Sequence, residues 1–116
     1  MINVFLNIDV ENGKVDITNV GHANEDGNKE TNDRVCYTIS SLMDFLCFYQ
    51  CHRIYGENRK SILESGLTHL EFDNIKDDES DIFWALKDYL LFLDNKFNSI
   101  SVNVKEENFD KNEEEN

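Results

Sequence analysis

Two short segments carry the residues that could do covalent chemistry: Gly21-His22-Ala23, and Asp33-Arg34-Val35-Cys36 with Ser40 one helical turn further on. A polar stretch that includes Gly27 separates them. The cysteine reads as sitting at the mouth of an apolar helix, where unpaired backbone N–H groups and the positive dipole end favour a thiolate. An imidazole close by would complete the activation. This is the chemistry of a cysteine nucleophile with a histidine general base, and the first reading is a small cysteine peptidase.

The neighbouring polar residues leave alternatives open. Asp33 suits either capping of the helix amides or orientation of His22 as a third catalytic member. Ser40 lies four residues after Cys36, on the same helix face, where its hydroxyl can support the thiol, the imidazole or a bound peptide, or simply bond back to a helix carbonyl. Cys47, Cys51 and His52 lack the spacing of zinc modules, and Cys47 is about 16 Å along the helix from Cys36 at 1.5 Å per residue, so both distal cysteines read as core filler. Neither a metal nor a cofactor is expected. No glycine-rich phosphate loop, zincin motif or Gly-x-Ser-x-Gly elbow occurs in the chain.

The elements that must hold the pair in place follow from periodicity. Ile2, Val4, Leu6, Ile8 and Val10 alternate, and Val15 and Ile17 resume the pattern after Asn12-Gly13, which predicts a hairpin. Residues 21 to 33 read as a loop. From about Arg34 to Arg53 the period becomes helical through Val35, Ile39, Leu42, Met43 and Leu46. Gly56 and Gly66 punctuate a polar connection before a strand at Leu67 to Phe72. Acids and Ser80 then precede a second amphipathic helix running from Ile82 to Phe97. Ile100, Val102 and Val104 form a last strand. His69 and the Trp84, Tyr89, Phe92 group read as packing or as a dimer surface.

The order β-β-α-β-α-β predicts a two-layer α+β fold, a four-stranded, mostly antiparallel sheet under two helices. Residues 1 to 105 form one domain in this reading, and 106 to 116 an acidic, disordered tail. The 116 residues carry 24 acidic and 11 basic side chains, a net charge of −13. Such a balance opposes direct binding of nucleic acid and favours a basic peptide or protein. No apolar run approaches a membrane span or a signal peptide, and three cysteines make no disulfide framework, so a cytoplasmic setting is expected.

At these residues the chain resembles the bacterial ribosomal-processing cysteine protease family Prp, the YsxB-like proteins. The signature of that family is Gly-His-Ala, a flexible loop, Asp-x-Val-Cys and a Ser four residues later. The matches are Gly21, His22, Ala23, Asp33, Val35, Cys36 and Ser40. The resemblance implies a homodimer in which Cys36 is the nucleophile and His22 the general base; Asp33 and Ser40 stand as candidate supporting residues. It also implies removal of the basic N-terminal extension of a large-subunit ribosomal protein, after an aromatic-rich stretch. Relatives in phage genomes make a virion structural protein an alternative substrate. The oxyanion would be held by amides at the start of the Cys36 helix, and the loop 23 to 33, with Gly27, would close as a lid. Gly21, Ala23, Gly27 and Tyr37 fall at loop or substrate-binding positions. Two departures stand out: Tyr37-Thr38 replaces a pair of small residues and Asn24-Glu25 a glycine-aromatic pair. Bulk at Tyr37 would reshape the groove, and the competing reading is an inactive module that only binds a basic ribosomal or phage protein.

Overall fold

The computed structural model describes residues 1–24, 27–53, 61–64 and 66–106. Its elements are strands β1 (Ile2–Asp9) and β2 (Lys14–Val20), helix α1 (Lys29–Arg53), strands β3 (Ser61–Glu64) and β4 (Leu67–Phe72), helix α2 (Asp81–Lys96) and strand β5 (Ile100–Glu106). A single 3-10 turn, Asp77–Glu79, leads into α2. The strands make one mixed sheet in the order β3-β4-β2-β1-β5, antiparallel except where β5 runs parallel to β1. The α+β class and the order β-β-α-β-α-β are as expected. One edge strand is added, because β3 occupies part of the connection between α1 and β4.

Alternation explains why the sheet is covered on one side. Every second residue of β1 and β2 is buried, and those residues share a single core with Val35, Ile39, Met43 and Leu46 of α1 and Phe83, Leu86, Leu90 and Leu93 of α2. The two helices therefore cover one sheet face, each through an apolar stripe at helical spacing. Phe72 and Phe83 meet edge to face with ring centroids 5.0 Å apart, with Tyr49 against both. At the end of α1 the buried Gln50 donates to the Glu71 carbonyl at 3.0 Å and accepts from Arg53, which also donates to Glu79 at 2.9 Å. That network ties the helix end to β4 and to the turn before α2.

Three boundaries differ from expectation. The hairpin turn spans residues 10 to 13, so Val10 is outside β1, and of the pair Asn12-Gly13 only the glycine takes a left-handed conformation, φ 64°. The Asp9 carboxylate closes this turn by accepting from the Asn12 backbone and side-chain amides at 3.2 and 2.7 Å. Helix α1 begins at Lys29, well before its apolar stripe starts at Val35, because Asn28 caps it: the Asn28 side chain accepts from the Thr31 amide at 3.2 Å, and its carbonyl from the Asn32 amide at 3.0 Å. Asp33 is consequently not the cap. Finally, Glu106 still belongs to β5, while the rest of the expected tail, and Gly56, lie outside the described residues.

Candidate active site

β2 and α1 deliver the histidine and the cysteine to one cleft. β2 ends at Val20, and Gly21 turns the chain with φ 100° while its amide donates to the Gly66 carbonyl at 2.9 Å. A side chain at Gly21 would run into the Met1 carbonyl, so the turn requires glycine. Gly66, at φ 79°, forms the other wall: a Cβ there would lie 2.9 Å from His22 Nε2. The imidazole thus lies against the glycine that opens β4. Across the cleft, the Ala23 amide donates to Cys36 Sγ at 3.5 Å. A backbone N–H aimed at sulfur stabilises negative charge on it, which is the state a nucleophile needs.

His22, Cys36, Ser40, Gly21, Gly66 and Glu64 line this cleft, which has a volume of about 170 Å³. Its floor is formed by Ile2, Ile39 and Met43 together with Asn19 and Thr68. His22 and Ser40 are exposed and Cys36 is half-buried, so the thiol is reachable from solvent. The space suits one or two side chains of an extended peptide rather than a large cofactor.

The remaining predicted site residues are elsewhere. Asp33 is exposed on the second turn of α1, where its carboxylate accepts from Lys29 Nζ at 2.7 Å. That hydrogen bond, with the charge of Asp33, raises the Lys29 pKa. Gly27, φ 65°, is exposed with open space where a Cβ would be. Tyr37 is 75 % exposed and belongs to a shallow surface groove with Arg34, Thr38, Leu42 and Tyr89. Tyr37 thus lines that groove and not the cleft that holds His22 and Cys36. Thr38 donates back to the Arg34 carbonyl at 2.8 Å.

The early start of α1 also takes away the free helix amides expected beside Cys36 as oxyanion donors. Cys36 lies in the helix interior, where backbone amides are taken by carbonyls four residues back. The amide that the fold does turn toward the sulfur is that of Ala23. Glu64, Asn19 and Thr68 have no role in the sequence reading, and Gly66 figures there only as part of a connection. Asn19 had a readable signal: it occupies the inward position after Val15 and Ile17, is 6 % exposed, and donates to Thr68 Oγ1 at 2.8 Å. A polar residue on the core face of a strand is unusual enough to flag.

No family model and no curated protein matches the chain. Among solved structures it is similar to the essential ribosomal processing protease Prp from S. aureus, in complex with a covalently linked product peptide, at 24 % identity and a TM-score of 0.64, covering 90 % of this chain and 100 % of that one. It is also similar to a hypothetical protein from Staphylococcus aureus at 20 % identity and a TM-score of 0.56, with the same coverage. At these identities the likeness is one of architecture, and along nine-tenths of its length this chain has the fold of a ribosomal processing protease.

Proposed function

We propose that the chain is a thiol endopeptidase acting on a basic peptide segment, with Cys36 as nucleophile and His22 as general base. The observation that carries this reading is the shared cleft: the imidazole and the thiol line it together, and the Ala23 amide points at the sulfur. Cys36 Sγ adds to the scissile carbonyl, and the C–N bond breaks as His22 returns its proton to the leaving amine. Water, deprotonated by His22, then hydrolyses the thioester and restores the thiol. The Ala23 N–H serves as an oxyanion donor within reach of the attacked carbonyl. Ser40 lines the same wall one turn along α1 and contacts the peptide.

The net charge of −13 and Glu64 at the cleft favour a substrate rich in Lys and Arg, in keeping with a ribosomal N-terminal extension or a basic phage structural protein. The same reading includes a homodimer in the cytoplasm. Exposed Tyr37, Tyr89 and Phe92 on the helical layer supply an apolar surface for a second copy, and among the described residues no helix is long and apolar enough to cross a membrane. Basic peptides carrying an aromatic stretch, incubated with the wild type and with Cys36→Ala and analysed by mass spectrometry, test it. Cleavage by the wild type alone supports the peptidase; binding without cleavage by both supports the non-catalytic module.

A further inference from the structure

The floor of the cleft holds a polar pair in an otherwise apolar setting. Alternation along β2 turns Asn19 inward after Val15 and Ile17, and the antiparallel register sets it opposite Thr68 of β4. Its Nδ2 donates to Thr68 Oγ1 at 2.8 Å, whereas its Oδ1 is enclosed without a hydrogen-bond partner. Asn19 is only 6 % exposed. Of the enclosed polar side-chain atoms that lack a partner among the described residues, Asn19 Oδ1 is the one that belongs to the lining of the cleft. An acceptor in that state is costly to the free protein, and a donor entering from the cleft satisfies it. Having accepted from Asn19, the Thr68 hydroxyl keeps a proton to donate. The pair therefore offers one acceptor and one donor together, on a floor otherwise made by Ile2, Ile39 and Met43.

Resting on the peptidase reading, we infer that Asn19 and Thr68 form a specificity subsite for a primary carboxamide, the side chain of a Gln or Asn in the substrate peptide. Its N–H donates to Asn19 Oδ1 and its carbonyl accepts from the Thr68 hydroxyl. Turning the Asn19 amide end for end exchanges the two roles and leaves a carboxamide as the complement. A Lys ammonium has donors only, and its charge is costly on an enclosed floor while Glu64 is exposed. A Leu or Met side chain leaves Oδ1 unpaired. The cleft, about 170 Å³, admits one such group, and Met43, unbranched and readily repacked, yields to it. Because Cys36 and His22 line the same cleft, a side chain seated on its floor belongs to a residue next to the bond under attack. Basic residues elsewhere in the peptide meet Glu64 and the negative charge of the chain.

The test compares acetyl-Lys-Gln-Lys-amide with acetyl-Lys-Met-Lys-amide, each titrated by NMR into the full chain carrying Cys36→Ala, so that binding is read without turnover. The Gln peptide should bind at least about tenfold more tightly, because only it satisfies the enclosed oxygen. Asn19→Leu, similar in size and apolar, should abolish that preference, and a thermal midpoint verifies that the variant is folded. Thr68→Val, which keeps the shape and removes the hydroxyl, should reduce the preference and serves if Asn19→Leu does not fold. Equal binding of the two peptides, binding of neither below about 10 mM, or a preference that survives both substitutions overturns the subsite. Cleavage of the same peptides by the wild type is read separately. A Gln peptide that binds with the expected preference and is not cut sinks the peptidase reading and leaves the subsite standing.

Discussion

Gly66→Ala separates the geometry of the cleft from the general cost of crowding a turn. The new Cβ would stand 2.9 Å from His22 Nε2, 3.4 Å from Cε1 and 3.6 Å from Cδ2. Ordinary contact begins near the second of these distances, so the ring must retreat by roughly 0.5–1 Å, a displacement that costs up to about a hundredfold in rate when it moves a catalytic group. The backbone adds its own penalty: at φ 79° an L side chain loses about 1–2 kcal/mol of stability. Gly27→Ala is the control. Its φ of 65° carries a similar backbone penalty, but nothing lies within 4 Å of its Cβ position. Both variants should lose comparable stability in urea unfolding. Only Gly66→Ala should slow iodoacetamide alkylation of Cys36, by about tenfold to a hundredfold at pH 7. Equal alkylation rates in the two folded variants would refute the idea that Gly66 positions the imidazole for the thiol.

Other outcomes follow from the same structure. Asn28→Ala should destabilise the protein by about 1 kcal/mol through loss of the α1 cap, whereas Asp33→Ala, which removes only an exposed pair with Lys29, should change the unfolding midpoint by less than half as much. The Arg53 guanidinium, and then the Lys76 backbone amide, hold the Glu79 carboxyl below its ordinary value of 4.5. A depressed folded-state pKa means that this pair stabilises the fold fully above about pH 4.5 and progressively less as pH falls through the folded value. Glu79→Gln should therefore flatten the acid limb of a stability–pH curve in that window. Gln50→Leu should cost about 1–3 kcal/mol, because the Glu71 carbonyl and one Arg53 donor lose their partner in a buried setting.

Strand alternation and the helical stripes made most of the fold legible, since one sheet face and one face of each helix are buried and that burial imposes periods of two and 3.6. The first turn of α1, Lys29 to Asn32, was invisible to that method because it contains no apolar residue, and Asp33 took the role that Asn28 holds. β3 was missed for another reason: it is four residues long, pairs with β4 alone and sits at the sheet edge. In the cleft, His22, Cys36, Ser40 and Gly21 were legible from a motif. Gly66 and Thr68 were not, because they reach the site only when β4 folds beside β2. Nor does residue spacing show that Tyr37 faces a different groove from the residue before it; the rotation of α1 decides that.

Activation of Cys36 by His22 can be read from alkylation rates at each cysteine, resolved by mass spectrometry, in the wild type and in His22→Ala. Exposure alone favours Cys51, which lies open on α1, over the half-buried Cys36. Activation by His22 reverses that order in the wild type, with Cys36 reacting fastest and losing that advantage in His22→Ala. A Cys36 that reacts no faster than Cys51, and at the same rate with and without the imidazole, would contradict it.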